Sequence, residues 1–178
     1  MMCDQQDDWA VYEHSALADF PNNDGDSFRV AFANGGMEDF RLYFVDTPES
    51  QFKTYRDGND NGERITQQGE YFGGLSMDET TTVGRQAKEL TVKLLSAGEF
   101  VVFTKHEEVY DSGRFYCLVR LEVNGKSRWL DEVLVENGLA RIITQPTVLP
   151  DGTSAERHRK HLLYLQNAAR KSKRGAWK

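Results

Sequence analysis

Apolar and polar positions alternate over residues 40–45, where Phe40, Leu42 and Phe44 interleave with Arg41, Tyr43 and Val45. A two-residue period places alternate side chains on opposite faces of a strand. Phe40, Leu42 and Phe44 therefore predict a core face, and Arg41 points the other way. The predicted strand spans 38–45, and the chain breaks at Pro48, which has no N–H to donate and holds Thr47 extended. A second alternation, Phe28, Val30 and Phe32, predicts a strand over 27–33, and Asn34-Gly35-Gly36 supplies the turn of a hairpin. In an antiparallel pair, the start of one strand and the end of the other lie on the same side. Asp26 and Asp46 are thus expected to meet, with Glu49 and the Thr47 carbonyl beside them.

The same reading along the rest of the chain predicts a strand at 9–17 and a turn at 22–26. A polar, glycine-rich loop follows over 50–81, with a short helix near 66–72. A helix over 84–97 carries Ala87, Leu90 and Leu94 on one face and ends at Gly98. Strands at 100–105 and 114–123 flank the loop Tyr110-Asp111-Ser112-Gly113, and Asn124-Gly125 marks a hairpin. A short helix at 130–137 is capped by Gly138, with a brief strand at 139–143 beyond it. Thr153-Ser154-Ala155-Glu156 reads as a capping box opening a last helix to about 173, with Leu162, Leu165 and Ala169 inward. Trp177 is expected to tuck against the body. This order predicts one domain over 9–178, preceded by a disordered acidic tail at 1–8. Its architecture is an α+β five-stranded β-barrel with three helices.

Composition narrows the class. The 178 residues suffice for a real core, with 39% hydrophobic and 28% charged residues and no apolar run long enough to span a bilayer. Cys117 lies in an alternating strand and reads as a core residue, whereas Cys3 lies in a polar tail. No disulfide is expected between them, and cysteine usage does not fix the compartment. Met1-Met2-Cys3-Asp4 has neither a basic start nor an apolar stretch, so no signal peptide is read. The net charge of −6 opposes bulk affinity for nucleic acid, but the charge is unevenly spread. Residues 1–28 carry seven acids and no Lys or Arg; residues 151–178 carry eight bases against Asp151 and Glu156. Such segregation can steer a polyanion locally.

A guanidinium and two carboxylates at one strand mouth are costly together unless a cation and an anion meet there. A divalent metal bound to a phosphate satisfies both. Four stretches then resemble the staphylococcal nuclease (thermonuclease) family: Asp24-Gly25-Asp26-Ser27, Arg41 through Glu49, Gly113-Arg114, and Leu134-Val135-Glu136-Asn137-Gly138-Leu139-Ala140. The resemblance runs from about Trp9 to Trp177 and implies a five-stranded OB-fold barrel with three helices. It implies Asp26, Asp46 and the carbonyl of Thr47 as Ca²⁺ ligands, and Glu49 as the residue that orients or deprotonates the attacking water. Arg41 and Arg114 become the pair that grips the scissile phosphate. The implied reaction cleaves the 5′-side P–O bond of DNA and RNA and leaves 3′-phosphates. The expected enzyme is a monomer acting on single-stranded or frayed substrate, with no membrane span. It is expected to be secreted or held in the cell envelope; a cytoplasmic location stays open.

The sequence departs from the best-known family pattern around the bases. The loop before Arg114 lacks the usual Lys, Ser112 replaces an aromatic residue, and Thr144 stands where a stacking Tyr is expected. Tyr110, Tyr43 and Tyr116 are the remaining candidates for stacking. Two other functions stay open: a non-catalytic OB module that binds nucleic acid or protein, and a phosphodiesterase for small nucleotides. Asp57-Gly58-Asn59-Asp60-Asn61-Gly62 imitates the start of an EF-hand loop, but Gln68 stands where its bidentate Glu belongs. His158 and His161 lie about one helical turn apart; exposed helix positions are expected for both rather than a metal pair.

Overall fold

A computed structural model describes residues 8–178. The expected acidic tail falls almost wholly outside the described residues. The elements run β1 (Ala10–Leu17), β2 (Ser27–Ala31), β3 (Met37–Leu42), β4 (Val45–Asp46), α1 (Gly62–Tyr71), α2 (Met77–Ser96), β5 (Phe100–Glu108), β6 (Arg114–Val123), β7 (Lys126–Trp129), α3 (Leu130–Glu136), β8 (Arg141–Ile142) and α4 (Ala155–Lys171). Strands β3, β2, β1, β5 and β6 are consecutive neighbours, and a β3–β6 pairing closes them into a five-stranded barrel. The closing pair is parallel, with Arg41 opposite Tyr116; the other pairs in the ring are antiparallel. Register breaks in β1 after Tyr12 and in β5 after Thr104 coincide with His14 and His106 at positive φ. Bulges of this kind bend strands enough to close a small barrel. Phe28, Val30, Phe40, Leu42, Val102, Cys117 and Val119 fill the interior.

The barrel with attached helices matches the architecture read from the pattern, with differences of detail. Four helices are present rather than three, because α1 lies inside the stretch read mainly as loop. Helix α2 begins at Met77, not at 84, behind a capping box in which Ser76 and Glu79 satisfy each other's backbone N–H groups. The strand expected over 38–45 ends at Leu42. Phe44 adopts φ 67°, its N–H donates to the Gln145 carbonyl, and Val45–Asp46 pairs separately with Ile142 and Arg141. Tyr43 and Val45 are therefore buried alongside Phe44 rather than facing out. The cap of α4 is Ser154 alone, accepting from the Arg157 N–H, so the expected Thr153–Glu156 box does not form. Trp177 packs on Phe72 with centroids 4.9 Å apart, and the Arg170 guanidinium lies over its ring.

Helix α2 runs beneath both loops that leave the barrel at the Asp26 and Asp46 end. A Cβ at Gly84 would fall 2.6 Å from the Pro48 carbonyl oxygen, and closer still to the Glu49 carbonyl. Only hydrogen at that position lets the helix lie against the backbone that carries Glu49. One turn or two further on, Ala87 abuts Gly25, and the Thr91 hydroxyl donates to the Gly25 carbonyl at 2.7 Å.

Candidate active site

Asp46 is the centre of the site. Its side chain is only 1% exposed, yet it is surrounded by cationic donors. Oδ2 accepts from Arg141 Nε at 2.9 Å and Nη2 at 2.6 Å, with Gln68 Nε2 at 3.3 Å. Oδ1 accepts from Arg41 Nη2 at 2.8 Å and Arg64 Nη2 at 2.5 Å. A buried carboxylate needs such partners, because leaving it unpaired costs far more than the pairing returns. The β4–β8 pairing holds Arg141 opposite Asp46, so that contact is set by the backbone.

The other expected residues gather around it. Asp26 Oδ2 accepts from the Thr47 N–H at 2.9 Å and lies 4.0 Å from Arg41 Nη2. Asp26 Oδ1 accepts from the Ser27 hydroxyl at 3.0 Å, and Arg114 Nη1 donates to the same hydroxyl at 3.2 Å. Glu49 Oε1 accepts from Arg64 Nε at 2.7 Å, and the Glu49 N–H donates to Gln68 Oε1 at 2.9 Å. All six residues read from the sequence, Asp26, Arg41, Asp46, Thr47, Glu49 and Arg114, are thus linked in one hydrogen-bonded network. Burial pushes the Asp26 pKa up and nearby Asp46 adds to it, while Arg41 opposes both. Asp24 is pushed up to about 6, first by burial and then by Asp26. For Arg64, burial alone would lower the pKa, but Asp46 and Glu49 overcome it and keep the guanidinium charged.

Arg64, Gln68 and Arg141 join the site without having been expected there. The first two share one face of α1 with Asn61 and Ile65, at the i, i+3, i+4 and i+7 spacing of a helix. That inward face is mainly polar, so hydrophobic periodicity does not reveal it. The available signal is the spacing Asn61-Arg64-Gln68 behind a carboxylate-rich loop. Arg141 offers a clearer clue: a charge between Ala140 and Ile142 on a buried strand requires an acid.

A cleft of about 390 Å³ opens over this network, lined by Arg41, Asp46, Arg64, Tyr110, Tyr116 and Arg141 among others. Of the stacking candidates, Tyr43 is fully buried and donates to Glu107. Tyr116 lines the cleft with Tyr43 stacked behind it, and Tyr110 is 87% exposed at its rim. Thr144 also lines the cleft, and its hydroxyl is taken by the Leu42 and Val45 carbonyls.

The model of the staphylococcal nuclease homologue family matches residues 39–178, most of the chain. The chain belongs to the staphylococcal nuclease family. No curated protein matches it closely enough to count as a relative. The family match includes Arg41, Asp46, Thr47, Glu49, Arg64, Arg114 and Arg141; Asp26 lies before it. A nuclease-type hydrolase acting on nucleic acid is the general activity of this family, which is generally calcium-dependent. No helix is long and apolar enough to cross a membrane among the described residues.

The donors present decide whether this family member suits Ca²⁺. Among the described residues, no three or more His, Cys, Asp or Glu side chains form a metal cage. The expected donors are two carboxylates, Asp26 and Asp46, and the Thr47 carbonyl, which receives only the 3.4 Å contact from Gln68. All-oxygen donors with the remaining positions left to water suit a hard cation held weakly. Arg41 Nε is buried without a partner, a donor ready for an anion beside them. The set fits the metal in chemistry, with Arg64 on its Asp46 arm.

Two other candidate sites resolve into structure. Asp57 accepts from the backbone and side chain of Asn59, and Asp60 accepts from the Gly62 N–H, which are local turn contacts on an exposed loop. His158 is buried rather than exposed and pairs with Asp131 at 2.6 Å, while His161 lies 3.4 Å from Glu132. Both histidines serve the α3–α4 contact.

Proposed function

We propose that this protein is a Ca²⁺-dependent nuclease that hydrolyses phosphodiester bonds of DNA and RNA and leaves 3′-phosphate ends. The observation that carries the reading is the network itself: Arg41, Arg114, Glu49, Asp26, Asp46 and Thr47 are joined by hydrogen bonds around Asp46, beside a cleft lined by Arg41, Asp46, Tyr110 and Tyr116. In this reading Arg41 and Arg114 donate to the non-bridging oxygens of the scissile phosphate. Their planar, permanently charged guanidinium groups suit charge that grows in the transition state. Glu49 orients a water and accepts its proton as the oxygen attacks phosphorus. The 5′-oxygen leaves with the bonding pair and takes up a proton. Asp26, Asp46 and the Thr47 carbonyl would hold Ca²⁺, which when bound supplies further electrostatic stabilisation at the phosphate. Tyr116 and Tyr110 offer ring faces to unpaired bases, which favours single-stranded or frayed substrate.

A site with two carboxylates and several waters binds Ca²⁺ on the order of 10⁻⁴–10⁻³ M, as in extracellular modules. That affinity favours work outside the cytoplasm, secreted or in the cell envelope. The test is release of acid-soluble product from single-stranded DNA with Ca²⁺ and then with EGTA. Product in the first and none in the second is expected; no product in either contradicts the proposal. One observation favours a second reading, a non-catalytic binding module: the arginines already neutralise Asp46 without a metal. Tight binding of DNA with no cleavage at millimolar Ca²⁺ would select it.

A further inference from the structure

Three guanidinium groups converge on Asp46, and they are not equivalent. Arg141 is 9% exposed and fixed by the β4–β8 pairing, and it occupies Oδ2 with two N–H groups. Arg41 is 14% exposed and rises from the barrel strand β3. Arg64 is 41% exposed and stands on α1, outside the barrel. It is the most exposed of the three and the only one of them carried outside the strands. It is also the group that spans two acids, donating to Asp46 Oδ1 through Nη2 and to Glu49 Oε1 through Nε.

Resting on the Ca²⁺ reading above, we propose that Arg64, which bridges Asp46 and Glu49, is an intramolecular cation that competes with the metal. Arg141 and Gln68 occupy Oδ2, and Oδ1 is shared by Arg41 and Arg64. A divalent ion on Oδ1 would stand against the Arg64 guanidinium, and like charges at contact distance repel. Metal binding therefore requires Arg64 to swing out. The same movement frees Glu49, whose Oε1 is otherwise tied to Arg64 and whose Oε2 has only a 3.5 Å contact from Asn61. Displacing Arg64 thus takes away one of the two guanidinium groups on Oδ1, leaving Arg41 there, and releases the residue assigned to water. The 50–81 segment thereby gains a role, since its helix α1 delivers the competing positive charge.

The experiment is calorimetric titration of Ca²⁺ without nucleic acid, on the wild type, Arg64→Gln and Arg64→Lys. Arg64→Gln is expected to bind at least about tenfold more tightly than wild type, equivalent to about 1.4 kcal/mol. Arg64→Lys keeps the charge and is expected to stay near wild type. Equal or weaker affinity in Arg64→Gln, or a Lys variant as tight as the Gln variant, overturns the competition while leaving Ca²⁺ binding intact. No binding in any folded variant overturns the Ca²⁺ reading as well. Wild-type protein gives a check independent of any substitution: the Arg64 Nε–H resonance should move and exchange faster as Ca²⁺ is added. An unmoved resonance, while the Asp46 and Thr47 amides shift, counts against the proposal.

Discussion

At the scale of single residues, Asp46 combines two duties that a sequence cannot separate. Its place after an apolar strand marks it as a candidate ligand, and the structure adds that it neutralises a buried arginine, Arg141. Removing one partner of a buried ion pair costs about 3–5 kcal/mol, because the other charge is left unpaired. Asp46→Asn is therefore expected to lower unfolding free energy by that amount in urea titration, besides weakening Ca²⁺ binding. Asp26→Asn should cost clearly less, since Asp26 touches no guanidinium more closely than 4.0 Å and its pKa is already raised toward the neutral form. Equal losses in the two variants would mean that Arg141 finds another partner. Glu49 and Arg114 are only partly buried and carry less of the fold. Glu49→Gln and Arg114→Ala should each lower kcat on the order of 10²–10³ at unchanged circular dichroism, the usual cost of one lost transition-state contact. Near-wild-type rates would remove either residue from its assigned role. That these six residues gather was legible because most sit beside a strand end or turn with a marked pattern and the family resemblance supplied Arg114. Arg64 was not, since only its polar spacing with Asn61 and Gln68 separates it from Arg56, until α1 turns Arg64 toward Asp46 while Arg56 stays exposed.

At the scale of elements, the barrel strands were legible because their two-residue period reflects a buried and an exposed face. The failures have specific causes. Helix α1 holds Ile65 as its one large buried apolar side chain, beside Gln68 and Gly69, so few apolar positions mark its period. The first turns of α2 contain Thr80, Thr81 and Thr82, whose branched side chains disfavour helix, and the Ser76–Glu79 capping box that opens it was not read. Phe44 at positive φ is a conformation that no pattern rule assigns to a large residue, and it ends β3 early. Helix α2 is also the element that places the candidate catalytic acid. Gly84→Ala would drive a methyl group into the Glu49 carbonyl, forcing helix and loop apart. Overpacking of this kind costs about 1–3 kcal/mol, and misplacement of a reacting group by about 1 Å can cost 10²-fold in rate. The variant should therefore melt somewhat lower but lose activity out of proportion, with kcat falling more than the loss of folded protein explains. An activity loss accounted for by unfolding alone would show that α2 supports the loop without positioning Glu49.

At the scale of the whole molecule, stability depends on how α3 and α4 close over the barrel. Their buried link is His158 Nε2 to Asp131 Oδ2 at 2.6 Å, and the Phe44 ring lies against His158 with centroids 4.7 Å apart. Burial alone would lower the His158 pKa from 6.5, but the hydrogen bond and charge of Asp131, helped by Glu132 and Asp151, raise it overall. A histidine with a raised pKa in the folded state binds its proton more tightly there than in the unfolded chain. Its contribution to stability is fully present below 6.5 and is lost as pH rises through the higher folded value. Asp24 also titrates out of its ordinary range, but its effect falls between 3.8 and about 6, below this window. The difference in unfolding free energy between wild type and His158→Gln isolates the pair. Measured by urea titration from pH 6 to pH 9, that difference should shrink as pH rises, because the wild type loses its charged contact and the glutamine variant has none to lose. A difference that is constant across the range would show that the neutral imidazole holds Asp131 as well as the charged one does. In that case the contact joins the two helices by shape and hydrogen bonding rather than by charge.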